Sequence, residues 1–303
     1  MKKGSLMKLL VTGSAGLIGS ALSSALKKRG IKVIGIDIKA QSNCEDYGDI
    51  LDYNRVLDAA SQVDGIVHLA AVSRVIWGEE NPKFCWETNV EGTKHILEAA
   101  LESPLKPWVL YGSSREVYGQ QERLPVKETA PLAPVNIYGE SKVAAEQAVK
   151  NAVKRGLKGS IVRFSNVFGS VNDHHDRVIP AFCLAAFYGT PIRIDGRENL
   201  FDFTFIDDVV RGMLSYIDIL NKSPIPLMPI HFTTGLGVSL EEAAFYAQEA
   251  SVHNIEIIEA PSRSFDVSKF SGETSRAREI LKWKASVHLR EGIHQMLNQL
   301  KSS

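Results

Sequence analysis

The chain has 303 residues, of which 44% are hydrophobic and 23% charged, enough apolar material to bury a full core. Basic and acidic side chains number 35 each, so the formal net charge is zero and nothing in the balance marks a nucleic-acid or anionic-membrane partner. Cys44, Cys85 and Cys183 are odd in number, far apart and without ligand spacing; they read as reduced thiols, neither a disulfide framework nor a metal site.

Leu6 to Thr12 is an apolar run of strand length. Gly13-Ser-Ala-Gly16-Leu17-Ile18-Gly19 follows at once, and then a helix-like stretch from Ser20 to Arg29. Glycines at such a turn let the backbone approach a pyrophosphate, whose charge meets the free N–H groups at the helix start. The spacing is G-x-x-G-x-x-G, not the commoner G-x-G-x-x-G. A second strand, Lys32 to Asp37, ends on a carboxylate eighteen positions after Gly19. An acid there hydrogen-bonds the adenosine ribose and repels a 2′-phosphate, so the expected cofactor is NAD, although Lys39 offsets part of that repulsion. Met1 to Lys3 followed by Leu6 to Leu26 also resembles a secretory leader. Lys8 interrupts the apolar run, however, and cleavage near Ala21 or Ala25 would remove the glycine loop. No other segment is long and apolar enough to span a membrane, and a cytoplasmic location is expected.

A third strand is expected just before Asp49 and Ile50. Gly65 to Ala70 reads as the fourth, Pro82 opens a helix through Ala100, and Pro107 to Gly112 reads as the fifth strand. Tyr138 to Arg155 reads as a helix and Gly159 to Ser165 as the sixth strand. The alternation then breaks down: Arg177 to Tyr188, Ser239 to Ala250, Ser275 to Leu281 and Leu289 to Leu300 look helical, with short strands near Ile192 and Ile230. His174-His175 is the only histidine pair; it reads as a solvated loop, since no Cys or His stands at ligand spacing, and no metal is expected. There is no repeat, low-complexity segment or Pro/Gly-rich linker. The expected fold is α/β, a doubly wound parallel sheet of the Rossmann kind over 6–166, with 201–220 returning to it. Residues 167–200 and 221–303 would form a small mixed α/β substrate-binding cap on the sheet's carboxyl edge.

Tyr138 and Lys142 stand four residues apart on one helix face, where the ammonium can act on the phenol. Free tyrosine, with a pKa of about 10, is a poor base at neutral pH. A neighbouring cation favours the phenolate and moves it toward the working range. The spacing alone is weak, because Tyr and Lys meet at i, i+4 on many solvated helices. The strand, glycine loop, helix, strand and terminal Asp37 that precede it give it weight.

With these motifs in order, the chain resembles the extended short-chain dehydrogenases/reductases, the NAD-dependent epimerase/dehydratase family that acts on nucleotide sugars. The resemblance runs from about Met7 to Leu300. Its markers are the Thr12–Gly19 loop, Gly48-Asp49-Ile50, His68-Leu69-Ala70-Ala71, Asn89 to Thr93, Ser113 to Gly119, Tyr138 with Lys142, Arg163 to Gly169 and Asp202 to Asp208. It implies an NAD site formed by Gly13, Gly16, Leu17, Ile18, Gly19, Asp37, Asp49, Ile50, Leu69, Ala70, Ala71, Asn89, Tyr138 and Lys142. It implies that Tyr138 takes the proton of the sugar's 4-hydroxyl, that Ser114 orients that hydroxyl, and that Lys142 lowers the tyrosine pKa and holds the nicotinamide ribose. A nucleotide-sugar substrate is implied, met by Ser114, Arg115, Asn166, Arg193 and Arg263, as is a homodimer through the helices starting near Pro82 and Tyr138.

Within that family the reaction turns on positions 115 and 116. Dehydratases usually carry an acid pair there, whereas this chain has Arg115, which cannot donate a proton at useful rates, and Glu116. Glu116 stays a candidate catalytic carboxylate, since the same position serves uronic-acid decarboxylases, where Arg115 could hold a carboxylate bidentately. A 4-epimerase needs neither residue and is favoured by elimination, with 4,6-dehydration and decarboxylation next. A non-catalytic dinucleotide sensor would have no need of Ser114, Tyr138 and Lys142. His68 reads as a packed strand residue. The family's diphosphate arginine is replaced by Phe201, a loss of about 1.5–3 kcal/mol of charge-assisted contact that Arg193 could offset.

Overall fold

The computed structural model describes residues 6–41, 44–222, 228–263 and 265–302. Met1 to Lys3 of the leader-like stretch lie outside the described residues. The strands are β1 Lys8–Thr12, β2 Lys32–Ile36, β3 Gly65–His68, β4 Trp108–Ser114, β5 Gly159–Phe164, β6 Asn166–Phe168, β7 Ile192–Asp195, β8 Leu200–Phe201, β9 Phe203–Phe205, β10 Ile230–Phe232, β11 Val238–Ser239 and β12 Ile257–Ala260. The helices are α1 Leu17–Lys28, α2 Tyr53–Ala60, α3 Val75–Glu80, α4 Pro82–Trp86, α5 Gly92–Glu102, α6 Ile137–Lys154, α7 Val178–Tyr188, α8 Ile206–Lys222, α9 Leu240–Ala250, α10 Ser275–Leu281 and α11 Leu289–Ser302.

The central sheet is parallel and runs β10-β5-β4-β3-β1-β2. Its register pairs Leu10 with Ile34 on one side and with Ile66 on the other. The chain leaves β1 for the β2 edge and returns to β3 on the other side, so β1 and β3 flank the topological switch point, where open α/β sheets bind ligands. Strand residues Leu10, Ile36, Ile66, Val109, Tyr111 and Ile161 bury one face under α2, α5 and α6, which contribute residues such as Val56, Ile96 and Val149. Leu9, Val11, Val67 and Leu110 alternate with them and are equally buried, as a sheet covered on both faces requires.

The third strand expected before Asp49 does not join the sheet. Asp37 and Tyr47 form a single isolated bridge, and the Asp46 side chain accepts from Gly35 N at 2.9 Å. The sequence between Lys39 and Asp46 is polar and has no apolar run to bury, and the described Asp46 and Tyr47 meet the β2 edge through these bonds alone. The helix expected from Pro82 to Ala100 is interrupted by a π-helical turn at Glu87–Glu91, which contains Asn89.

The chain divides into two compact units. One comprises Met1–Gly119, Leu132–Arg163 and Met213–Ile230; the other comprises Gln120–Pro131, Phe164–Gly212 and His231–Ser303. Within the second unit three two-stranded sheets pair β11 with β8, β12 with β7 and β6 with β9. Its buried Asp202 accepts from Thr234 N and Oγ1, both at 2.8 Å, and from Gly235 N at 2.9 Å, fixing the turn after β10.

Candidate active site

The glycine loop closes tightly on its own strand and helix. Gly13 has φ +71°, and a Cβ there would stand 2.7 Å from Ala70 N; a Cβ on Gly19 would stand 2.0 Å from Gly13 O. Gly16 is the N-cap of α1 and supplies no capping side chain, so the amides of Leu17, Ile18 and Gly19 open the helix without a local acceptor from it. Asp37 is buried beside the loop and accepts from Ala15 N at 2.9 Å and Lys39 N at 2.7 Å. Leu69, Ala70 and Ala71 continue from β3 as half-buried backbone, with the amides of Leu69 and Ala70 each 3.2 Å from Thr12 Oγ1. Asp49 is exposed and turns onto Leu51 N at 2.9 Å, whereas Ile50 packs in the core against Gly92.

His68 is enclosed by two threonines, 2.7 Å from Thr12 Oγ1 and 3.0 Å from Thr93 Oγ1. Burial, assisted by the nearby Lys142 charge, pushes its pKa down to about 3. It is a neutral strut. The Asn89 amide is taken up by the protein: Oδ1 accepts from Val72 N at 2.8 Å, and Nδ2 donates to Val72 O at 3.1 Å and to Ser141 Oγ at 2.9 Å. Ser141 in turn donates to Tyr138 O at 2.7 Å, so Asn89 braces the start of α6 against the segment after β3.

Helix α6 begins at an Asn136 cap, whose Oδ1 accepts from Gly139 N at 2.8 Å. Gly139 permits a close approach, since a Cβ there would lie 2.7 Å from Glu116 O. Tyr138 is thereby held near the end of β4 and is 8% exposed. Lys142 is buried, donates to Gly112 O at 2.9 Å and has its ammonium 5.8 Å from the Tyr138 ring centre. Burial lowers its pKa to about 8, opposed more weakly by Cys85 and Glu146. Ser114 ends β4 with its Oγ accepting from Glu116 N at 3.2 Å. Ser114, Tyr138 and Lys142 therefore come together around the end of one strand.

Arg115 and Glu116 form a buried ion pair, Nη2 to Oε1 at 2.9 Å, in the 3₁₀ turn Arg115–Tyr118. Asn136 Nδ2 donates to the other oxygen, Oε2, at 3.0 Å. Beneath this turn lies a cluster that sequence reasoning missed. Glu146, fully buried, takes two bonds from Arg163 at 2.7 and 2.6 Å and one from Ser113 Oγ at 2.7 Å, while Arg163 also donates to Tyr118 OH at 2.5 Å. Glu146 stands one helical turn beyond Lys142 on the same face, and that spacing was the one available sign of it.

The other expected substrate residues lie in the second unit. Asn166 opens β6 and its amide donates to Asp202 O at 3.1 Å. Arg193 is exposed and bonds Asp195 at 2.8 Å; Arg263 bonds Asp266 at 2.9 Å. Phe201 is buried, its ring 6.2 Å from that of Phe203.

The profile of the NAD dependent epimerase/dehydratase family matches residues 9–226. The chain belongs to the NAD-dependent epimerase/dehydratase family. It is 31% identical to the UDP-glucose 4-epimerase of Lacticaseibacillus casei, over 92% of each chain. The crystal structure of the UDP-glucose 4-epimerase of Thermotoga maritima with UDP-glucose superposes with a TM-score of 0.89 at 26% identity, covering 98% of this chain and 99% of that one. MoeE5 in complex with UDP-glucuronic acid and NAD gives the same TM-score and identity over 97% and 99%.

The cofactor of this family member is NAD. The residues present fit it: Gly13 and Gly19 let the loop close tightly against Ala70 and against itself, the amides that open α1 have no capping side chain, and Asp37 stands at the end of β2. The substrate class is a nucleotide sugar. Among the described residues no helix is long and apolar enough to cross a membrane.

Proposed function

We propose that the chain interconverts a UDP-hexose and its C4 epimer, with Tyr138 as base and acid, Ser114 orienting the 4-hydroxyl and Lys142 supporting the phenolate. The observation that carries this reading is the engagement of both Glu116 oxygens, one by Arg115 at 2.9 Å and the other by Asn136 at 3.0 Å. Both oxygens of that carboxylate are committed to donors of the fold, and its neighbour Arg115 is no proton donor. The acid–base pair that elimination of water needs is therefore not supplied by this turn, and Tyr138 is left as the proton-transferring group beside Ser114. Both relatives named as UDP-glucose 4-epimerases support the same reading.

Tyr138 takes the proton of the 4-hydroxyl as the carbon is oxidised, and Ser114 holds the oxygen through the change from alcohol to ketone. Bound NAD supplies the oxidation and its reversal. Rotation of the keto-sugar presents its other face, and Tyr138 returns the proton. Lys142, its ammonium sunk between α6 and β4, favours the phenolate at each stage. Asp37 and the glycine loop hold the adenosine end, and Asn166, Arg193 and Arg263 are assigned to the substrate. A homodimer through the faces of α4 and α6 is supported by Phe84 and Trp86, 43% and 41% exposed on α4. The free thiols of Cys44, Cys85 and Cys183 suit a reducing cytoplasm.

The test is product analysis by mass spectrometry and NMR with UDP-glucose, UDP-galactose and UDP-glucuronic acid. Unchanged mass with inversion at C4 is expected. Loss of water or of carbon dioxide would replace the epimerase reading with dehydration or decarboxylation.

A further inference from the structure

Lys142 is a buried cation with few polar partners. Its ammonium donates to Gly112 O at 2.9 Å and lies 5.0 Å from the centre of the Tyr111 ring, closer than to the Tyr138 ring at 5.8 Å. Tyr111 is 1% exposed on β4, wedged between Lys142 and His68, whose ring centre is 5.6 Å away. Among the described residues no carboxylate pairs with Lys142. On α6, Glu140 is exposed, and Glu146, one turn beyond Lys142, is held bidentately by Arg163 and accepts a further bond from Ser113.

We infer that Tyr111 is a positioning residue for the reaction: the face of its ring is the floor on which the Lys142 ammonium rests, and it keeps that ammonium charged and aimed at Tyr138. The inference rests on Lys142 being the cation that supports the phenolate. An aromatic face attracts a cation through its quadrupole, most strongly where water is excluded. Of the other groups around Lys142, Cys85 and Glu146 support its charge more weakly than burial opposes it. His68 from β3 is held neutral by burial, the Cys85 thiol from α4 is pushed up by burial, and the phenol of Tyr111 itself is raised well above its ordinary value by burial. On α6 itself, Tyr138 is the group being activated and the charge of Glu146 is matched by Arg163. Burial works against the Lys142 charge, Cys85 and Glu146 counter that burial more weakly, and the ring face adds to that offset.

The experiment varies the ring's electronics at constant shape. The holoenzyme is prepared as Tyr111→Phe, and that phenylalanine is then replaced by its difluoro and pentafluoro analogues, with kcat/KM followed against pH. Tyr111→Phe keeps the alkaline limb where the parent has it, because the ring face remains. Fluorination withdraws charge from the face and moves that limb to lower pH in step, by about 0.5–1.5 units at full fluorination. KM at neutral pH stays within about threefold, since the ring touches no substrate. Tyr111→Leu gives the same acid-ward shift if it folds; the fluorinated series carries the test if it does not. A limb that ignores ring fluorination while Lys142→Met abolishes turnover overturns the role of Tyr111 alone. A limb and turnover that survive Lys142→Met overturn both this inference and the reading of Lys142 beneath it.

Discussion

Asn136 and Glu116, twenty residues apart, share a hydrogen bond of 3.0 Å that joins the cap of α6 to the turn after β4. The same asparagine caps Gly139 N, one residue after Tyr138, so the position of Tyr138 is tied to the carboxylate that distinguishes this chain's turn. Glu116 acts here as an anchor for Asn136 and Arg115.

Glu116→Gln should therefore lower epimerisation modestly, by less than about 100-fold, because no proton transfer is lost where base catalysis is worth 10²–10⁴-fold. Glutamine has one acceptor oxygen for two donors, so either the Arg115 or the Asn136 bond to this side chain is lost and α6 shifts slightly. Steady-state kinetics with the cofactor's absorbance monitored decide the matter. Reduced cofactor trapped on the enzyme with no product would make Glu116 a base and sink the epimerase reading.

Tyr138→Phe removes the proton acceptor and leaves the ring that packs with Val72 and Cys85. Turnover should fall by at least about 10²–10⁴-fold with NAD affinity within a few-fold of the parent. Calorimetric NAD binding alongside the assay separates the two effects, and turnover within tenfold of the parent would refute the assignment of Tyr138 as base.

Asp37→Ala deletes the carboxylate at the end of β2 and its bonds to Ala15 N and Lys39 N. NAD should bind more weakly and the preference over NADP should narrow, since the charge that repels a 2′-phosphate is gone and Lys39 remains. A NAD/NADP affinity ratio that stays fixed would place ribose recognition elsewhere.

Lys142 also sets a pH dependence of stability. Its folded pKa of about 8 lies below the ordinary 10.5, so between these values the unfolded chain binds more protons and stability rises with pH. Below pH 8 both states are protonated and the full burial penalty, roughly 3 kcal/mol at most, is present. Lys142→Met should thus stabilise the cofactor-free protein at pH 7, with the gain shrinking as pH rises toward 10. Urea denaturation of both proteins at pH 7 and 9.5 measures it; a gain that is constant or larger at pH 9.5 contradicts the assignment.

What the sequence determined by itself was whatever is written contiguously. Strand, glycine loop, helix and terminal Asp37 are consecutive, and Tyr138 and Lys142 share a face by the helical repeat alone, so the cofactor fold and that pairing were legible before any coordinates. The expectation of a third strand failed because the sequence from Lys39 to Asp46 has too little apolar surface to bury, and Asp46 instead meets the sheet edge by accepting from Gly35 N. Asn89 was read as a cofactor residue, and its amide is engaged by Val72 and Ser141. Only the tertiary structure decided which buried charges meet. Glu116 with Asn136, Glu146 with Arg163 and Lys142 with Tyr111 each join residues from different elements. No local periodicity encodes those pairings, because they depend on strand order and on how closely α6 descends onto β4. A buried charge is tolerable only where that descent gives it a partner.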